Sequence, residues 1–309
     1  MANPSPFPYD PQLTAISLAY KNDRYIADEV MPRTGVSTAA FKYRKYDKST
    51  YLTPTTTLVG RKSDPTQVEL GFTEDSDFTF DYGLDDVIPV SDVLNAPEGY
   101  NPQAEAAEYL TELLAIDREK RVAGLVFNAG SYPSGYKTTL TGEGQFSHAN
   151  SDPLDVLLTG LDVPFVRPNT VVMGQAVWSA LRRNSKLLQT IYPNANGNGV
   201  ITPEQLADIL DVDRVLIGAA RVNTAKRGAA PNIDRVWGKH IAMLYVDASA
   251  TVSSRLTWGI TAEFGSRFSG TYQAVEKGLR GSEVVRVGES LRELVVCPDV
   301  GYFIQNAIA

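Results

Sequence analysis

The chain is poor in the residues that most often carry chemistry. It has one cysteine, Cys297, and two histidines, His148 and His240. A single thiol cannot form an intrachain disulfide, and such usage fits folding in a reducing compartment. The sequence has no HxxH, HExxH or CxxC pairing, so neither a thiolate nor an imidazole metal site is expected. A GxSxG elbow and a GxxxxGK[ST] loop are missing too. The glycine-rich "NGNG" lacks a strand-to-helix frame for gripping phosphate and reads as a loop. These absences predict no cofactor and no enzyme. The adjacent carboxylates Asp85 and Asp86 read as a solvated or partner-facing patch rather than an acid–base pair.

Positive charge is also in short supply. The net charge is −7 and the isoelectric point about 5.0, which argues against a protein that grips duplex DNA by neutralising phosphates. No apolar run approaches a membrane span. The opening "MANPSPFPYDPQ" lacks the basic and apolar segments of a signal peptide. The expectation is a soluble protein that folds in the cytoplasm.

The chain is well supplied with apolar material. At 309 residues and 43% hydrophobic, with 15 Tyr, 11 Phe and 3 Trp, it can bury a large core as one large or two ordinary domains. Its charge is unevenly placed. Residues 41–62 hold six Lys or Arg and one acid, while residues 63–90 hold eight acids and no Lys or Arg. Within this region "FKYRKYD" alternates with a period of two, as does "DFTFDYGL", residues 77–84, and both read as strands. The Thr-, Ser-, Gly- and Pro-rich residues 49–76 between them are too polar for core. A long two-stranded excursion results, marginal by itself, with a basic arm beside an acidic one.

The strongest helix signal covers residues 101–128, with Asn101 as N-cap and Pro102 at the first helical position. Its apolar stripe, Ala106, Leu110, Leu113, Leu114, Val122, Leu125 and Val126, is interrupted by Asp117, Arg118 and Arg121. One reading is an ordinary amphipathic helix; the other is a strut whose polar middle meets other chains. A short helix is expected within 13–32, on Leu13, Ile16 and Tyr20 and stopped by Pro32, and further helices at 151–161 and at 175–191. Another, at 202–212, opens on a Thr202–Gln205 capping box. Strands are expected at "NTVVMG", "RVLIGAARVN", "IAMLYVD", "TWGITAEF" and "SEVVRVGESLRELVV". The class is a mixed α+β body without a fixed repeat.

Several segments, in order along nearly the whole chain, resemble the HK97-fold major capsid proteins of tailed bacteriophages. "RYIADEVMPRTGV" is similar to that family's N-terminal arm, and "YGLDDVIP" to the return from its extended loop. "QAEAAEYLTELLAIDREKRVAGLVF" is similar to the spine helix. "GEGQFSHANSDPLDVL" and "RPNTVVMGQAVWSALRRNSKLLQTI" resemble the approach to the axial domain, and "VVCPDVGYFIQNA" the final peripheral strand. The likeness extends to a transposable, Mu-like phage.

The resemblance implies an HK97-like arrangement: an N-terminal arm (1–40), an extended loop (41–90), a peripheral domain (91–150) with spine helix 101–128, an axial domain (151–290) and a C-terminal peripheral strand (291–309). It implies a subunit that self-assembles as pentamers and hexamers into an icosahedral shell. That shell encloses double-stranded DNA without specific binding, with no membrane partner. The expected location is the virion, and the host cytoplasm during assembly. A separate scaffolding protein is implied, since only about twelve loose residues precede the first helix; a portal and a decoration protein complete the partners. The loop lysines Lys48 and Lys62 lie where some members crosslink, but no crosslink is expected. Candidate inter-subunit contacts are Arg44, Lys45, Lys48, Arg61 and Lys62 on the basic side. Those on the acidic side are Glu69, Glu74, Asp75, Asp77, Asp85 and Asp86, with Arg118 and Arg121 on the helix. The alternative reading, a virion decoration or carbohydrate-binding module, fits the Tyr- and Thr-rich acidic composition but not so long a helix.

Overall fold

A computed structural model describes residues 8–46, 52, 54–68, 72–192, 199–226 and 228–309. The N-terminal segment contains α1 (Pro11–Ala19), capped by the Asp10 carboxylate, and the single turn α2 (Ala27–Val30). Next come β1 (Arg33–Val36) and β2 (Ala40–Tyr46), then β3 (Phe72–Phe78) and β4 (Phe80–Pro89). The short α3 (Val90–Leu94) leads into the long α4 (Pro102–Val126). Asn101 caps α4 by accepting from the Gln103 and Ala104 N–H groups, and the helix is about 38 Å long.

The middle of the chain contributes β5 (Lys137–Thr139), α5 (Pro153–Asp162), β6 (Thr170–Gly174), α6 (Gln175–Leu181), α7 (Ser185–Ile191) and α8 (Pro203–Leu210). The expected single helix over 175–191 is two. The Asn184 side chain accepts from the Lys186 and Leu187 N–H groups, which starts α7 afresh. The strands β7 (Arg214–Gly218), β8 (Arg221–Asn223), β9 (Ile233–Arg235), β10 (Ile241–Leu244), β11 (Gly259–Phe264), β12 (Phe268–Ala274), β13 (Ser282–Val295) and β14 (Gly301–Gln305) complete the fold.

Two five-stranded sheets organise the described residues. In the first, β13 is the axis. β4 runs along one edge of it, and β11 then β12 run antiparallel along the other, with β1 parallel to β11. The step from β11 to β12 turns at Gly265, whose φ of +73° suits a residue without Cβ. The second sheet has the order β5-β14-β10-β6-β7. Its strands bury both faces by strict alternation. Val171, Met173, Ile241, Met243, Tyr302 and Ile304 face a core shared with α5–α8, while Val172, Ala242, Leu244 and Phe303 face the other way, toward α4. Trp237 fits that second face because Gly218 has no side chain: a Cβ there would lie 2.0 Å from the indole.

These sheets divide the chain differently from the expected ranges 151–290 and 291–309. Residues 259–295 return to the first sheet, and β14 belongs to the second. A sequence range cannot reveal this, because β11 and β13 pair with β1 and β4, strands from the N-terminal part of the chain. α4 spans both units. Its first half (Ala106, Ala107, Leu110, Leu114) packs with Ile88, Val285 and Val287, and its second half (Val122, Ala123, Val126) packs under the second sheet. The polar interruption at Arg118 and Glu119 is where the helix passes from one core to the other.

Candidate subunit-contact surface

The projection is built on β2 and β3, paired antiparallel from Ala40↔Phe78 to Tyr46↔Phe72. Phe41 and Tyr43 anchor its base, packing against Ile260, Ala262, Leu294 and Val296. The alternating stretch expected as one returning strand over 77–84 divides at Thr79. Its first part stays with β2, and its second joins β13 as β4. Beyond the base, every described residue from 54 to 68 is exposed, including Leu58 and Val68.

Much of the split charge is neutralised within the chain. The register places Arg44 opposite Glu74. Lys42 reaches Glu74 at 3.5 Å, and Lys45 reaches Asp75 at 2.6 Å. The Arg44 guanidinium lies 4.0 Å from the centre of the Phe72 ring. A hydrogen bond from Lys45 holds the Asp75 carboxyl below its usual range. Exposed pairs of this kind are screened by solvent and contribute little to stability.

Other candidates are engaged by the first sheet. Arg292 of β13 donates to Asp77 at 2.8 Å, and Arg286 grips Asp85 with two bonds of 2.6 and 2.7 Å. Arg121 donates to Glu293 at 2.9 Å, pairs with Asp117, and lies over the Tyr82 ring. Arg61, Lys62 and Asp86 have no ion pair among the described residues. Lys48 and Glu69 lie outside them.

Arg118 occupies the junction behind this surface. It is 3% exposed and donates to Asp28 at 2.6 Å, to Thr261 Oγ1 at 3.1 Å and to the Met31 carbonyl at 3.4 Å. It therefore serves its own chain, tying the N-terminal arm to α4 and β11. Sequence reasoning missed its neighbours. Glu119 is fully buried; it accepts from the Ile26 and Ala27 N–H groups and from Trp237 Nε1, joining arm, helix and second sheet at one carboxylate. Burial raises its pKa despite those three donors. Glu289 of β13, 1% exposed, takes Arg33 and Arg267, each at 3.0 Å. Glu112 accepts from the Tyr20 and Tyr25 hydroxyls, adding a further tie to the arm. The signal in the sequence was the charged break in an otherwise apolar helix stripe, which marks a buried polar joint.

Both histidines accept a backbone hydrogen bond. His240 Nδ1 accepts from the Asn306 N–H at 3.0 Å, and its ring packs against Phe127 and Phe303. His148 Nδ1 accepts from Asn150 N–H at 3.3 Å in its loop. No helix among the described residues is long and apolar enough to cross a membrane.

A long helix shared by two sheets, an arm clamped along it and a two-stranded projection with an exposed tip define a shell subunit of the HK97-like capsid fold. The capsid of cyanophage P-SCSP1u matches at a TM-score of 0.58 and 10% identity, over 91% of this chain and 88% of that one. No family model matches. The major capsid protein of Pseudomonas phage JBD67 is 43% identical over 305 residues, 99% of each chain. That of Burkholderia phage BcepMu, a Mu-like phage, is 26% identical over 96% of each. The chain belongs to the phage major capsid proteins: it is a shell-forming structural subunit of the virion.

Proposed function

We propose that the chain assembles with copies of itself, as pentamers and hexamers, into a closed icosahedral shell that encloses double-stranded DNA without gripping it. The role is mechanical and involves no catalysis. Assembly takes place in the host cytoplasm with a separate scaffolding protein and a portal, and the finished surface is open to a decoration protein. In this reading the unit around the second sheet is the axial domain. The first sheet with α4 is the peripheral domain, residues 1–40 are the arm, and the extended loop lies within 41–90.

The projection carries the reading. Its base is anchored and largely neutralised, but its described tip, 54–68, is exposed throughout and presents Arg61 and Lys62 without ionic partners among the described residues. An element that satisfies itself only at the base has its remaining contacts on a neighbour. The test is limited proteolysis of free subunits and of assembled particles. Cleavage within 54–68 is expected in the free subunit, with protection after assembly. Equal cleavage in both would overturn the assignment.

A further inference from the structure

The hairpin of β8 and β9 carries an arrangement that its own chain does not account for. Arg221 and Arg235 stand directly opposite each other in the register, a placement of like charges that destabilises a strand pair. Both are exposed, and neither has an acidic partner among the described residues. Lys226 adds a third exposed cation between the two strands. The nearest acid in the hairpin, Asp234, instead accepts from Thr224 and Asn232 at 3.0 and 3.2 Å. Ile233 is 61% exposed. A two-stranded ribbon is marginal even without such repulsion, and this one is solvated over nearly its whole length.

The complementary surface is on the same unit. Helix α8 exposes Glu204 and Asp208, four residues apart on one face, where like charges also repel. Neither has a cationic partner among the described residues. Val200, just before the Thr202 cap of the same helix, is 49% exposed. One element thus presents two guanidiniums and an aliphatic side chain, and the other presents two carboxylates and an aliphatic side chain.

We infer that the β8–β9 hairpin of one subunit docks on helix α8 of a second copy, with Arg221 and Arg235 meeting Glu204 and Asp208 and Ile233 meeting Val200. The contact relieves repulsion on both sides at once, so each patch specifies the other. It joins unlike patches, so it passes from copy to copy in the manner that closes rings. The exposed Ile233 favours a protein surface over a phosphate backbone, which would need only the cations. This inference rests on the shell-forming reading and adds a second contact, remote in sequence from the 41–90 projection.

Charge exchange tests it. R221E/R235E and E204K/D208K are each expected to reduce particle yield at least ten-fold in sedimentation and electron microscopy, with subunits that keep the wild-type circular dichroism. The combined four-site variant is expected to recover most of the yield. If either double variant assembles normally, or the combined variant does no better than its parents, the inference fails. Should a reversed variant not fold, R221Q/R235Q replaces it: reduced yield with weaker salt dependence supports the contact, and unchanged yield and salt dependence overturns it. Duplex DNA binding by the wild-type subunit that is lost in R221E/R235E would assign the hairpin to nucleic acid instead. Wild-type protein that never assembles would sink the shell reading itself; normal wild-type particles with normal variants would sink only this contact.

Discussion

The arm, the long helix and the two sheets meet on a few buried charges, and these set the most direct residue-scale expectation. Burial works to raise the Glu289 carboxyl, but the guanidiniums of Arg33, Arg267 and Arg118 outweigh it and hold the group below the ordinary Glu value of 4.5. A lowered folded-state pKa contributes stability above the unfolded value, and that stability is lost as pH falls through the folded one. Glu289→Gln leaves Arg33 and Arg267 with an uncharged partner. It should cost about 3 kcal/mol near neutral pH, the low end for breaking a buried pair, because the amide still accepts a hydrogen bond. The difference from wild type should shrink as pH falls from the unfolded-state value of 4.5 through the lowered folded-state pKa, where the native carboxylate also protonates. Denaturant unfolding across that range measures it; a gap independent of pH would contradict the assignment. Glu119 has the opposite sign. Its folded-state pKa is raised by burial, so its contribution is present at low pH and lost as pH rises.

At the scale of elements, the projection is where the sequence reading was best and also where it fell short. Period-two alternation placed β2, and the Asn101–Pro102 start placed α4, because these signals are local. The split at Thr79 was not legible: residues 77–84 alternate without a break across it, and only the partners on either side differ. The charge blocks were visible, but their destinations were not. Asp77 pairs with Arg292, 215 residues away, and Asp85 with Arg286, 201 residues away. Such pairings follow from topology, which no local pattern records. The acidic block is therefore partly committed to its own sheet, whereas the tip cations Arg61 and Lys62 have no ion pair among the described residues. R61E/K62E should leave the subunit folded, since both positions are exposed, while lowering particle yield through like-charge contact with acidic surfaces. Normal yield and salt tolerance would show that the two residues are merely solvated.

For the whole molecule, the net charge of −7 becomes informative once the chain is a shell subunit. A container that bound duplex DNA tightly would resist its packing, and phosphate contacts would appear as steep salt dependence. The isolated subunit should show negligible duplex binding at physiological salt by fluorescence anisotropy; micromolar binding with a slope of several phosphates would contradict a weakly repulsive inner wall. The central claim is that the tip of the projection belongs to a neighbour's surface. A cryo-EM reconstruction of assembled particles tests it most directly. Density for 54–68 should lie across a second subunit, with Arg61 or Lys62 within about 4 Å of that subunit's carboxylates. A tip folded back on its own chain, or standing free in solvent, would contradict the account.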